Sequence, residues 1–233
     1  MRLMSHGLSQ TLKQFVAAAA LGLVAFGASA SPAAPAAGVD YRVLQKTQPT
    51  DAGSKVEVTE FFWYSCPHCA AFEPSLEEWV KKNAANIVFK RVPVSFRDTF
   101  VPQQKLYYTL DALGKVDVMQ RKVFQAIHTE RQTVDTDDTI LAFVVKQGID
   151  KKQFQDLYNS FGVQTKIRRA VQLQNDYGVD GVPMIAIDGK YITAPSIVGT
   201  AMRNQPEAAL HTATLQVMDN LVKRAAAERA VKK

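Results

Sequence analysis

The sequence predicts an α/β domain interrupted by an all-helical one, and three observations predict it. A β-prone apolar run, Val56 to Tyr64, leads straight into an amphipathic helical pattern. From about Arg97 to Tyr177 the periodicity is helical throughout. The chain then returns to a strand, Val182 to Ile187, followed by a tight Asp188-Gly189 turn and a partner strand, Lys190 to Thr193. Strand, helix, strand, helical insertion, hairpin and a last helix, Gln205 to Ala230, is the expected order.

Each element has its own ground. Tyr41 to Leu44 reads as a short edge strand, and Asp51-Ala52-Gly53 as the turn before the first long one. In that strand, side chains alternate, so Val56, Val58, Glu60 and Phe62 share a face. Glu60 is thus a carboxylate among apolar neighbours, while Glu57 and Thr59 fall on the other face and read as ordinary. The next helix has Phe72, Leu76, Trp79 and Val80 at helical spacing, and Pro74 inside it should bend it by removing a donor. Ile87 to Val94 is a second core strand. The insertion divides into Gln103 to Leu113, Val116 to His128, Asp137 to Gln147, Asp150 to Phe161 and Thr165 to Tyr177. Gly114, Gly148 and Gly162 punctuate these helices, and Asp137 and Asp150 are the expected N-caps. No repeat of fixed period runs through them.

The start of the chain reads as a secretory leader over residues 1–30. Arg2 and Lys13 are its basic start, Phe15 to Ala28 its apolar run, and Ala28-Ser29-Ala30 its small-x-small cleavage site. The run falls short of the roughly twenty residues a bilayer span needs, which argues against an uncleaved anchor. No cysteine lies near the cleavage point, so lipid attachment is not expected. Ser31 to Gly38, rich in Pro and Ala, reads as a flexible tether. Export places the mature chain where disulfides persist. The net charge is +6, and loss of the leader's two basic residues makes it mildly less. The basic residues are scattered rather than interleaved with aromatics, which excludes an evident nucleic-acid surface. A mature chain of about 200 residues is long enough to bury a sizeable core.

The only two cysteines, Cys66 and Cys69, stand in Phe62-Trp63-Tyr64-Ser65-Cys66-Pro67-His68-Cys69, at the junction of strand and helix. Such a pair points to redox chemistry. A structural bridge would close too small a loop to constrain the unfolded chain much. A zinc site would have to recruit His68 and a distant His128 or His211 to reach about four ligands. The thiolate is the reactive form. Cys66 at the helix N-terminus faces unpaired backbone N–H groups and the positive end of the macrodipole. Pro67 in the first turn costs nothing, because its missing donor would be unpaired anyway. A cationic His68 would favour the thiolate but not the disulfide, making the pair a stronger oxidant. Cys69, a turn further in, should be buried, and Glu60 beneath it could accept or relay its proton, with a pKa raised by desolvation. Arg91 on the adjacent strand is a counter-charge for Glu60. The alternative is a buried ion pair that only fixes the strands. Gly181-Val182-Pro183 opens a core strand with a proline, which marks a special turn with a cis bond as one option. His128 and His211 read as ordinary polar residues, and no phosphate loop or Ser-His-Asp order stands out.

Phe61-Phe62, Cys66-Pro67-His68-Cys69, Gly181-Val182-Pro183 and Asp188-Gly189-Lys190-Tyr191 together resemble the DsbA family of bacterial periplasmic thiol:disulfide oxidoreductases. The resemblance covers nearly the whole mature chain. It implies a thioredoxin fold with an inserted all-helical domain. The thioredoxin-like part would be residues 40–96 and 180–233 and the insertion 97–179, after the leader (1–30) and a flexible segment (31–39). It implies that Cys66 is the exposed sulfur that attacks and is attacked, and Cys69 its buried partner. Val182 and Pro183 would form a cis-proline loop offering backbone pairing to an extended substrate. Glu60 falls where the family has a buried acid, and Arg91 where it tends to have a lysine. A guanidinium keeps its charge, so ion pairing fits position 91 and proton relay does not. The expected function is donation of the Cys66–Cys69 disulfide to newly exported, unfolded polypeptides. No bound cofactor is expected, nor a metal, and a quinone-linked membrane oxidase of the DsbB type would be the reoxidising partner. A disulfide isomerase or reductase is the nearer alternative. It usually needs a dimerisation module for which there is no room, so a monomer is expected. A non-catalytic holdase or metal carrier using Cys66, His68 and Cys69 is the other.

Overall fold

Strand β2 (Val56–Phe62) is buried along its whole length and lies inside a five-stranded mixed sheet. The computed structural model describes residues 33–231, so the expected leader lies outside the described residues. The other strands are β1 (Arg42–Val43), β3 (Ile87–Pro93), β4 (Met184–Ile187) and β5 (Tyr191–Thr193), in the order β1-β5-β4-β2-β3. β2 and β3 run parallel and every other pair is antiparallel. The parallel pair needs a crossover, which helix α1 (Pro67–Asn83) supplies. The register sets Glu60 opposite Arg91 on one side and Ile185 on the other.

Between β3 and β4 come a short 3-10 turn (Asp98–Phe100) and five helices. They are α2 (Val101–Ala112), α3 (Val116–His128), α4 (Asp137–Lys146), α5 (Lys151–Tyr158) and α6 (Phe161–Asp176). Helices α7 (Pro195–Ala201) and α8 (Glu207–Val231) follow the sheet. One face of the sheet packs Val58, Ile185 and Ile187 against Phe72, Leu76, Val217 and Leu221, under α1 and α8. The other presents Phe61, Ala186 and Ile192 to the insertion, where Phe61 leans on Tyr177 at 5.3 Å between ring centroids. Apolar burial on this scale, about 1.5–3 kcal/mol for each large side chain, is what holds the layers together.

The two-sided cover corrects the reading of Glu57 and Thr59 as ordinary. Both are buried, and Glu57 accepts from Lys90 Nζ at 2.8 Å and from the Asp51 backbone N–H at 3.2 Å. Thr136, not Asp137, caps α4: its hydroxyl accepts the Thr139 N–H, and Asp137 inside the first turn takes the Tyr158 hydroxyl at 2.7 Å. Asp150 does cap α5. The break before α6 falls at Ser160, whose hydroxyl accepts the Val163 N–H, so Gly162 lies within the helix rather than before it. α1 continues through Pro74. Of the segment expected to be flexible, residues 36–40 close a turn in which Asp40 Oδ2 accepts the Ala36 N–H. The β4–β5 turn uses left-handed Asp188 and Gly189, and a Cβ on Gly189 would run into the Gln48 carbonyl.

Candidate active site

The last turn of β2 and the first turn of α1 place the cysteines, and the insertion grips the link between them. Trp63 stacks on Phe100 at 3.7 Å, Gln103 Nε2 donates to Ser65 Oγ at 2.8 Å, and Tyr64 donates its hydroxyl to Gln120 Oε1 at 2.8 Å. His128 Nε2 sits 2.8 Å from the Tyr64 carbonyl, an ordinary polar contact as expected. Cys66 then takes extended backbone angles and caps α1, with Pro67 as the first helical residue.

Both cysteines are thiols in this structure. Cys66 Sγ accepts the Cys69 backbone N–H at 3.3 Å and donates to the Val182 carbonyl at 3.5 Å. The Cys66 thiol is pulled down to about 6. The Cys69 thiol beside it contributes most, burial opposes, and the backbone N–H groups of Cys69 and His68 and the His68 charge add to the lowering. Cys69 is pushed the other way, first by burial and then by Cys66 and Glu60. One sulfur is thus a ready thiolate and the other a thiol that holds its proton. Cys69 is fully buried as expected, but Cys66 is only 6 % exposed, more recessed than the resemblance implied. The Val182–Pro183 loop that covers it has a cis peptide bond.

Beneath the pair lies a cluster with more acid than base. Arg91 Nε donates to Glu60 Oε2 at 3.0 Å, and Arg91 Nη2 donates to Glu73 Oε1 at 2.6 Å. Glu60 Oε1 and Glu73 Oε2 have no hydrogen-bond partner among the described residues. Burial pushes Glu60 up against the pull of Arg91. Burial and then the repulsion of Glu60 push Glu73 up to about 8. Two carboxyl groups around one guanidinium therefore retain a proton near neutral pH.

His68 Nδ1 lies 2.7 Å from Glu207 Oε1, that carboxylate raises the His68 pKa, and the ring's charge still acts on Cys66. On one side of Cys66 a groove of about 430 Å³ runs between His68, Val182, Pro183, Pro195, Glu207 and Leu210. On the other, a groove of about 730 Å³ lies between α1 and α3, with Pro67, Ala70, Pro74, Phe124, His128 and Arg131 along it.

The structure brings Cys66, Pro67, His68, Cys69, Val182 and Pro183 together, with Glu60 and Arg91 below. Sequence reasoning missed Glu73, Glu207 and helix α7. Glu73 had a signal: it lies in the Cys69-Phe72-Leu76 stripe, all buried, where a carboxylate is out of place. Nothing in the sequence marks Glu207, which reaches the site only through the start of α8. His211, read as an ordinary polar residue rather than a ligand, is buried with its ring 5.0 Å from that of Phe72.

Residues 57–213 match a family described as the DSBA-like thioredoxin domain. The thiol:disulfide interchange protein DsbA of Burkholderia cepacia is 48% identical over 208 residues, covering 87% of this chain and 92% of that protein. DsbA of Bordetella pertussis is 38% identical over 214 residues, 92% of this chain and 97% of its own. Among solved structures, Pseudomonas aeruginosa DsbA superposes with a TM-score of 0.73 at 33% identity, covering 85% of this chain and 97% of that one. A fold of this topology, a Cys-Pro-His-Cys turn on α1 and relatives this similar over most of their length leave one assignment: the chain belongs to the DSBA-like thioredoxin-domain family.

Proposed function

We propose that this chain is a protein dithiol:disulfide oxidoreductase that donates the Cys66–Cys69 disulfide to reduced, extended polypeptides after their export to the periplasm. The observation that carries this is the split between the sulfurs: Cys66 is held to about 6 while Cys69, fully buried, is pushed well up. A dithiol that relaxes into one stable thiolate is a good product, so the disulfide is a good oxidant.

Two thiol exchanges complete the reaction. A client thiolate attacks Cys66 Sγ in the disulfide, the S–S bond breaks, and Cys69 leaves with the electron pair and takes up a proton. The Glu60–Arg91–Glu73 cluster, which retains one, supplies it. A second client thiolate then attacks the client sulfur of the mixed disulfide, and Cys66 departs as thiolate. The client loses two electrons and the enzyme gains them, with no bound cofactor needed. The Val182–Pro183 loop orients the client strand, and Pro67 starts the helix that lowers the Cys66 thiol. A membrane oxidase of the DsbB type would return the pair to the disulfide. Mixing the oxidised protein with a reduced, unfolded test protein checks this reading. Wild type is expected to form client disulfides and Cys66→Ser to form none, and oxidation by the serine variant would defeat the mechanism.

A further inference from the structure

His68 and Glu207 meet at the rim of the Cys66 cleft although 139 positions separate them in the chain. His68 is the second residue of α1 and Glu207 the first of α8, so the contact ties together the starts of two helices. Two facts make it more than a surface pair. The His68 side chain is 69% exposed, so nothing else holds the ring against solvent. And among the described residues the carboxylate has one other ionisable partner, His211 Nε2 at 3.7 Å, too far for a hydrogen bond. His211 is buried against Phe72, and burial holds its pKa below the usual, so it does not compete as a cation. Among the described residues no lysine or arginine pairs with Glu207. The remaining ionisable group acting on His68 is Cys66 itself, and the groove beside them adds only the uncharged Ser196 and Gln205.

We propose that Glu207 is a positioning residue for disulfide exchange: by holding Nδ1 of His68 it keeps a cationic ring beside the Cys66 sulfur and so favours the dithiol state. This rests on the reading of the chain as a disulfide donor. The disulfide carries no charge and the Cys66 thiolate does, so a cation at position 68 acts on one side of the equilibrium only. Without the carboxylate, His68 loses its proton in the ordinary histidine range and the thiolate loses its neighbour there. Solvent screening of two exposed side chains limits the effect to a few-fold, and salt should shrink it.

The test is equilibrium with glutathione from about pH 5.5 to about pH 8.5, the range that spans histidine titration. Enzyme disulfide and two glutathione thiols give enzyme dithiol and one glutathione disulfide. The constant for Glu207→Gln is expected to match wild type at the acid end, to fall about threefold below it in the window between the two His68 titrations, and to rejoin it once both rings are neutral. In the reduced variant, the His68 ring should titrate at lower pH by NMR. Glu207→Asp, which keeps the charge at the start of α8, should restore most of the difference and guards against mere loss of helix structure. In a His68→Gln background, Glu207→Gln should change nothing further. A ratio that does not vary with pH, or an effect that survives without His68, overturns the proposal. Wild type that exchanges normally while the Glu207→Gln curve overlays it sinks this inference alone. Wild type that does not exchange at all sinks the reading beneath it.

Discussion

Strand β2 carries two buried carboxylates, three residues apart on opposite faces, and their surroundings differ in kind. Glu57 is met by Lys90 and by a backbone N–H of the preceding turn, and the Lys90 side chain remains 36% exposed, so water shares the work. Glu60 is met by Arg91, whose side chain is only 10% exposed and is divided with Glu73. One acid is matched by a half-solvated cation. The other belongs to a sealed group with one acid too many and two oxygens left over. The first arrangement ties strands together; the second is the one that, in the function proposed above, supplies the proton a leaving thiol needs.

Removing the cations should separate them most sharply. Arg91→Met leaves two sealed carboxyl groups without a counter-charge and is expected to cost about 3 kcal/mol or more at neutral pH. Lys90→Met, beside solvent, should cost less than about 1 kcal/mol. Urea unfolding of both variants measures this, and equal losses would erase the distinction.

Proton linkage gives the next largest effect. A carboxyl held up to about 8, against 4.5 in the unfolded chain, contributes stability that is whole below the lower value and is lost as pH climbs through the upper one. The oxidised protein, in which no cysteine titrates, should therefore lose roughly 2 kcal/mol between about pH 5 and about pH 8.5. In the reduced protein, Cys66 is lowered from 9.0 to about 6 and adds stability as pH rises between those values, so its profile should be flatter. Glu73→Gln should level the oxidised profile. A profile indifferent to Glu73 would place the retained proton elsewhere.

The smallest effect is kinetic. Glu60→Gln should slow oxidation of a reduced client by about tenfold, within the range of lost proton transfer, with little change in fold. Glu57→Gln should leave the rate untouched. If both slow it alike, depth in the strand rather than proton supply is what matters.

Much of this could be read from the residues because periodicity reports burial, and burial dictates the layers. The β2 run, the α1 stripe and the five helices of the insertion all announced themselves that way. Helix α7, seven residues starting at Pro195, is too short to show a period. The start of α4 was displaced by one residue because Thr136 and Asp137 are both good caps and only tertiary contact, here the Tyr158 hydroxyl, assigns the acid elsewhere. Glu60 stood out as a charge in an apolar strand, and Glu73 was equally visible as a charge in an apolar helix stripe. Glu207 was not, since a contact between two helix starts far apart in the chain leaves no trace in local pattern. The sheet topology that brings them together has to be seen.

In the proposed donor function, the recess around Cys66 sorts clients by flexibility. Cys66 is buried as a residue, so in the proposed exchange a loose strand, able to dip between the Val182 loop and the start of α1, suits it better than a cysteine lying flat on a folded protein. In the proposed donor function, exchange should then run faster with cysteines in a pliable, unfolded chain than with the same cysteines in the folded protein.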